Sequence, residues 1–287
     1  MMHFASLKPF LIATSLSAAF LLTGCDQPNE ADASDKNETI SEANASTKTK
    51  KPFVSVAEKK AKFFSFLHPL IKEANSEVLK QRETLLSLED DIASLNDDQL
   101  ETLTDLANNY KVDDELAPEQ QLELLKVKIH TIPASLVLAQ AANESAWGTS
   151  RFATEGNNFF GQWCFRKGCG LVPEGRDDGA NHEVARFNTP LGSVKSYIRN
   201  LNSFPPYELL RSLRQESLDE NKPVSGVNLA NGLIDYSQRR EEYVKEIQGM
   251  IRFNKLWRFN TAPNATTAAA AKAVNVQNSS EDSTQDS

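Results

Sequence analysis

Glu144 stands in the run Ala141-Ala142-Asn143-Glu144-Ser145-Ala146-Trp147-Gly148, a single carboxyl among small and apolar neighbours. On a rigid helix in such surroundings, poor solvation favours the acid form of a glutamate. An acid held this way suits protonation of a leaving oxygen. Glycoside cleavage needs that step, often with a second carboxylate acting on water or on the anomeric carbon. Taken as a single residue, Glu144 also reads as an ordinary solvent-exposed helix glutamate, so its neighbours must decide.

Other chemistries find little support. The four histidines, His3, His68, His130 and His182, are widely separated, and with the three cysteines they form no zinc-site spacing. Neither a metal nor an organic cofactor is expected. A formal charge of −8, with no basic stripe, argues against nucleic acid as a partner. Cys164 and Cys169, flanked by Gly168 and Gly170, read as a disulfide closing a small loop, provided that the compartment is oxidising.

The elements that must position Glu144 are legible around it. Pro133 suits a first helical position, and Leu136, Gln140 and Glu144 then fall on one face at i, i+4 spacing. Ala134, Ser135, Ala139, Ala141, Ala142, Ser145 and Ala146 are small enough to let another element, or a polymer, approach the helix backbone. Gly148 marks the helix end or a close approach, and Asn157-Asn158-Phe159-Phe160-Gly161 reads as a loop rim beside a cleft. Before this segment, residues 57–71 carry Phe63, Phe64, Phe66, Leu67, Leu70 and Ile71 at helical spacing, read as core. Asp97 is positioned to cap a helix reaching Tyr110, and Pro118 to open one ending near Ile129. After it, Val184 to Phe187 forms a short extended segment, and Thr189-Pro190 starts a helix that Pro205-Pro206 breaks. Further helical pieces follow over 207–213, 227–234 and 241–253. The expected organisation is a helical extension over 53–131 packed on a catalytic domain over 132–259.

The compartment is written at the N-terminus. An apolar run over 10–22 ends in Leu22-Thr23-Gly24-Cys25, which resembles the lipobox of bacterial lipoproteins. Residues 1–24 are then a signal peptide, Cys25 the acylated residue, and 25–52 a polar tether. Asp26 is similar to an inner-membrane retention signal. Residues 260–287 read as a low-complexity tail.

The run from Ile132 to Gly161 is similar to the glucosaminidase family of peptidoglycan hydrolases, whose pattern Ala-x-x-Glu-Ser-x-Trp-Gly-x-Ser falls here on Ala141, Glu144, Ser145, Trp147, Gly148 and Ser150. The segments GQWCFRKGCG, HEVARFNTPLGSVKSYIRNLN and DYSQRREEY resemble its bacterial Bax-type subgroup more narrowly. The resemblance implies a mostly α, lysozyme-like helical domain with a small β-lobe, and cleavage after N-acetylglucosamine in peptidoglycan. It makes Glu144 the general acid and Glu183 the second acidic residue, with Glu174, Asp177 and Asp178 competing. Tyr236 is expected to orient substrate or its acetamido group. Gln140, Ser145, Trp147, Asn157, Asn158, Phe160 and Tyr243 are expected around the substrate, although spacing alone reads Tyr243 as a helix residue facing the core. A monomer held to the membrane by its lipid is expected. The alternatives are a lytic transglycosylase or muramidase, and an inactive glycan-binding scaffold.

Overall fold

Ser55 accepts a hydrogen bond from the Glu58 amide (3.1 Å) and so caps α1 (Val56–Leu86) in the computed structural model, which describes residues 55–176 and 179–260. Phe63, Leu67, Ile71, Ala74, Val78 and Leu85 recur at helical spacing and are all buried. Pro69 sits inside this helix on its exposed face. The helix is longer than the periodicity of residues 57–71 predicts, because apolar spacing continues past Ile71. Phe66 departs from expectation. Read as core, it is half exposed and lies 5.8 Å from the Phe159 ring, because it stands off the buried stripe.

α2 (Asp97–Tyr110) begins one residue earlier in the cap than expected, with Asn96 and Gln99 forming a reciprocal capping box. α3 (Pro118–Lys128) starts on its proline as expected. α4 (Ala134–Glu144) follows, with Pro133 at the cap position rather than inside the helix. All nine residues from Ala134 to Ala142 are buried, which explains why small side chains dominate there.

The segment leading into α4 is clamped from several directions. Asn75 exchanges two hydrogen bonds with the Ile132 backbone (2.9 and 3.0 Å). Arg82 donates to the carbonyls of Lys126 and Ile129 (2.6 and 2.9 Å). Arg214, fully buried, donates to the Val127 carbonyl (2.7 Å) and to Asn202 Oδ1 (2.6 Å), while Asn202 donates to the His130 carbonyl (2.8 Å). Burial pushes the Arg214 guanidinium down to about 9, yet carbonyls at the end of α3 surround it and keep it satisfied. These contacts join the 55–131 helices and the later helices into one core.

Beyond α4 come α5 (Arg151–Gly156), then a three-stranded antiparallel sheet of β1 (Trp163–Cys164), β2 (Gly170–Leu171) and β3 (Glu183–Ala185) in the order β1-β3-β2. Trp163 pairs with Val184, Cys164 with Glu183, and Gly170 with Ala185. A Cβ on Gly170 would lie 2.0 Å from the Val184 carbonyl oxygen, so no side chain fits there. The Cys164–Cys169 disulfide closes the loop between β1 and β2. α6 (Pro190–Ser203), α7 (Glu208–Asp219), α8 (Gly226–Leu229) and α9 (Glu241–Phe253) complete the helical body, with short 3₁₀ turns at Pro205–Tyr207, Ala230–Leu233 and Leu256–Phe259. The result is the mostly α architecture with a small β-lobe that the sequence predicts. No helix among the described residues is long and apolar enough to cross a membrane. The signal segment, Cys25 and the polar tether lie outside the described residues, as do Asp177, Asp178 and the tail from residue 261.

Candidate active site

Glu144 is the last residue of α4, half-buried where the helix gives way to a sharp turn. Ala146, Trp147 and Gly148 that follow all take positive φ (50°, 62° and 76°). Two non-glycine residues in that region store strain, which the surroundings hold in place. Ser145 is the fastening: its hydroxyl donates to the Ala141 carbonyl (2.5 Å) and accepts from the Gly148 amide (2.8 Å). Trp147 is gripped edge-on by Phe63 and Phe64, at 5.7 and 5.6 Å between ring centroids, with the Lys60 ammonium 4.8 Å from its ring.

The Glu144 carboxyl has two unlike oxygens. Oε1 accepts a hydrogen bond from the Tyr243 hydroxyl at 2.8 Å and a longer one from Asn143 at 3.5 Å. Oε2 has no hydrogen-bond partner among the described residues and faces Gly161, where an added Cβ would stand 3.7 Å away. Gly161 has φ +63° and meets both demands of that place, a left-handed backbone and an open approach to the carboxyl. Burial raises the affinity of Glu144 for its proton above that of an ordinary carboxyl, and Glu246 adds to this. The hydrogen bonds from Tyr243 and Asn143 and the Arg239 charge act in the opposite direction.

Behind Oε1 runs a directed chain of hydrogen bonds. The Tyr197 hydroxyl donates to Gln140 Oε1, Gln140 Nε2 donates to the Tyr243 hydroxyl (2.9 Å), and Tyr243 donates to Glu144. Gln140 is wholly buried, and its placement one turn before Glu144 follows from the i, i+4 spacing seen in the sequence. Aromatic rings hold the chain rigid. Tyr243 stacks on Tyr236 (5.4 Å, 7° between planes) and Tyr197 stacks on Phe160 (4.0 Å, 11°).

These contacts redistribute the expected roles. Tyr243, which spacing alone reads as core, is the tyrosine that touches Glu144. The Tyr236 hydroxyl, expected at the substrate, donates to the Phe160 carbonyl (2.8 Å) and so orients the loop that ends at Gly161. Gln140, Ser145, Asn158 and Phe160, expected around the substrate, are all buried, and the polar side-chain atoms of the first three are used internally. Asn158 donates to the carbonyls of Gln162 and Ala185 and accepts from the amides of Phe160 and Gln162, tying the rim loop to β3. Asn157 ends α5 in a left-handed conformation and donates to the Phe187 carbonyl (2.9 Å). Such buried amides satisfy backbone groups that water cannot reach.

Glu183 is not presented as a free second carboxylate. It is buried in β3, and its two oxygens accept from the amides of Gly168 (2.9 Å) and Gly170 (2.8 Å), which hold it below the usual carboxylate range. With Cys164 and Cys169 it forms a close group, but the two sulfurs are bonded to each other and the carboxylate is filled by amides. Glu174 is exposed on the β-lobe, 3.9 Å from Arg151.

Three residues beyond the expected set matter. Tyr197 belongs to the hydrogen-bond chain, and the sequence offers no signal separating it from a packing tyrosine. Arg239 lies three residues after Tyr236, with its guanidinium 5.8 Å from the Tyr243 ring and its charge felt by Glu144. Trp163 is 59% exposed on β1, backed by His182 in a stacked pair at 4.2 Å. An exposed indole held flat by a second ring, two residues from Gly161, is a surface on which a sugar ring can stack.

A family model and a relative in sequence agree with the motif. Residues 124–256 match the Glucosaminidase family model, described as mannosyl-glycoprotein endo-beta-N-acetylglucosaminidase. The chain is 27% identical over 198 residues to Protein bax of Escherichia coli (strain K12), an alignment covering 69% of this chain and 70% of the relative. It also has a similarity to the catalytic domain of the autolysin Auto of Listeria monocytogenes, at 19% identity and a TM-score of 0.34, covering 63% of this chain and 87% of that domain.

Proposed function

We infer that this chain, which carries a glucosaminidase-family domain of the bacterial Bax type, is a peptidoglycan hydrolase acting as an endo-β-N-acetylglucosaminidase. The observation that carries the reading is the asymmetry of Glu144. One oxygen is fixed by Tyr243, and the other is unpartnered toward the Gly161 loop, with burial favouring the proton.

Glu144 gives its proton to the glycosidic oxygen as the bond to C1 of N-acetylglucosamine breaks, and the departing sugar leaves as an alcohol. The positive charge growing at C1 needs an electron pair. Since both Glu183 oxygens accept amide hydrogens, the substrate's own 2-acetamido oxygen supplies that pair, a known exception to the two-carboxylate rule. Water then attacks C1 and displaces the acetamido oxygen, which regains its electron pair, while the Glu144 carboxylate takes the water's proton and the starting state returns. Tyr243, Gln140 and Tyr197 keep the carboxyl in place throughout, and Trp163 offers a stacking face to a flanking sugar. No metal or cofactor takes part.

The chain is proposed to work outside the cytoplasm as a monomer, acylated at Cys25 and tethered to a membrane, with Asp26 favouring the inner one. The test of the reaction is product chemistry. Purified peptidoglycan is digested, reduced with borohydride and analysed by mass spectrometry. Reduced N-acetylglucosamine ends support the reading. Reduced muramic acid ends indicate a muramidase, anhydro-muramic ends a lytic transglycosylase, and undigested walls with bound protein a glycan-binding scaffold.

A further inference from the structure

A second surface of the molecule, away from Glu144, combines exposed cations with exposed aromatic side chains. The chain has a net charge of −8, yet the stretch from Ile247 to Asn260 contains no Asp or Glu and presents Arg252, Lys255 and Arg258 to solvent. None of these three cations has a carboxylate partner among the described residues. Between them stand two large apolar side chains in the open, Phe253 at 82% exposure and Trp257 at 53%.

The first turns of α1 adjoin this stretch. Lys60 donates to Asn254 Oδ1 (2.9 Å) and its ammonium lies 5.0 Å from the Phe253 ring. Val56, one turn before Lys60 on the same helix face, is 70% exposed, and Lys59 beside it is exposed as well. The patch therefore joins unpaired cations and protruding apolar groups at the place where α1 begins. Ser55, the first described residue, caps α1 there.

We propose that this basic and aromatic corner docks on a bilayer surface rich in anionic phospholipid headgroups. Lys and Arg near such a surface each add attraction that salt screens, and the amphipathic indole and phenyl rings partition into the boundary between headgroups and acyl chains. The protruding end of α9 suits a deformable, planar partner, whereas a glycan strand is better matched by the backed indole of Trp163 on the β-lobe. Docking here is separate from the Cys25 acylation proposed above and does not depend on it. Its consequence is orientational: a protein reached only through a tether would tumble, but one resting on this corner holds a defined face toward the membrane.

The test uses the chain from Asp26 to Ser287, which retains every described residue and cannot be acylated at Cys25. It is sedimented with vesicles of equimolar phosphatidylglycerol and phosphatidylethanolamine, and separately with phosphatidylcholine vesicles. Binding is expected to the first and not the second, and to weaken with added salt. Phe253→Ala with Trp257→Ala should lower the partition coefficient at least about tenfold, and Lys255→Gln with Arg258→Gln by about fivefold for each charge removed. Circular dichroism and wall hydrolysis, both expected unchanged, separate lost docking from lost folding. Equal binding to both vesicle types, binding to neither, or folded variants that bind as wild type would each overturn the proposal. So would a loss confined to lipid-free wall sacculi or to self-association, because the patch would then serve another partner.

Discussion

The Tyr243 hydroxyl reaches Glu144 Oε1 from nearly a hundred residues away in sequence, at 2.8 Å, and is itself held by Gln140 at 2.9 Å. Because this bond lowers the proton affinity of Glu144, its loss has a definite sign. Tyr243→Phe should raise the affinity of Glu144 for its proton, so the alkaline limb of the kcat/KM profile moves to higher pH. The turnover number should fall as well, since the carboxyl loses its orientation. A limb that stays in place or moves to lower pH would show that Tyr243 does not govern Glu144.

Glu144→Gln should lose about 10²- to 10⁴-fold in activity on peptidoglycan while remaining folded. It also makes a thermodynamic test. A carboxyl whose folded proton affinity is raised binds more protons in the native state than in the unfolded one. Its contribution to stability is present below the ordinary carboxylate pKa and is lost as pH rises through the raised folded value. Above that window the ionised wild type bears a cost that the uncharged amide of the variant does not. Urea midpoints should therefore favour the variant near neutrality and converge in acid. A variant less stable than wild type at neutral pH would contradict the raised proton affinity.

Glu183→Gln should behave in the opposite way. Its carboxylate is held below the usual range by two amides, so its contribution is present above the ordinary carboxylate pKa and fades as pH falls through the lowered folded value. The variant should loosen the Cys164–Cys169 loop, seen as faster amide hydrogen exchange at Gly168 and Gly170 at neutral pH. Wall hydrolysis should drop far less than in Glu144→Gln. Equal inactivity of the two folded variants would restore a two-carboxylate mechanism.

Trp163→Ala tests the β-lobe surface. Loss of one stacking face should raise KM by about fivefold and leave the turnover number nearly unchanged. An unchanged KM on soluble glycan fragments would remove Trp163 from the binding surface.

The sequence discloses the helical body well and the site unevenly. α9 spans 241–253 as its apolar spacing predicts, and α3, α6 and the proline break after α6 fall where proline and Thr189 place them. The Glu144 motif is legible because it is local, the end of α4 and the turn that follows it within one short stretch of chain. Which tyrosine serves it is not, because Tyr236 lies in the turn before α9 and Tyr243 on α9, and which of them reaches Glu144 depends on how these pieces stack beside α4, a tertiary fact. The polar residues of the motif mislead for a related reason. Ser145 and Asn158 look like ligands in one dimension, whereas tight turns inside a core need the same hydroxyls and amides to satisfy their own backbone. Glu183 is the hardest case, because its distance from the Gly168 and Gly170 amides depends on strand register, which a three-residue strand does not reveal.

One consequence follows from Glu144 being the final residue of α4. Aligned peptide dipoles leave partial negative charge at the carboxyl end of a helix. An ionised side chain placed there faces electrostatic opposition from its own backbone, whereas a protonated one faces none. The address of Glu144 thus works with burial to favour its protonated form, and the same field disfavours any second anion beside it. A catalytic centre at such a helix end suits a substrate that brings its own nucleophile and asks the protein for a proton alone.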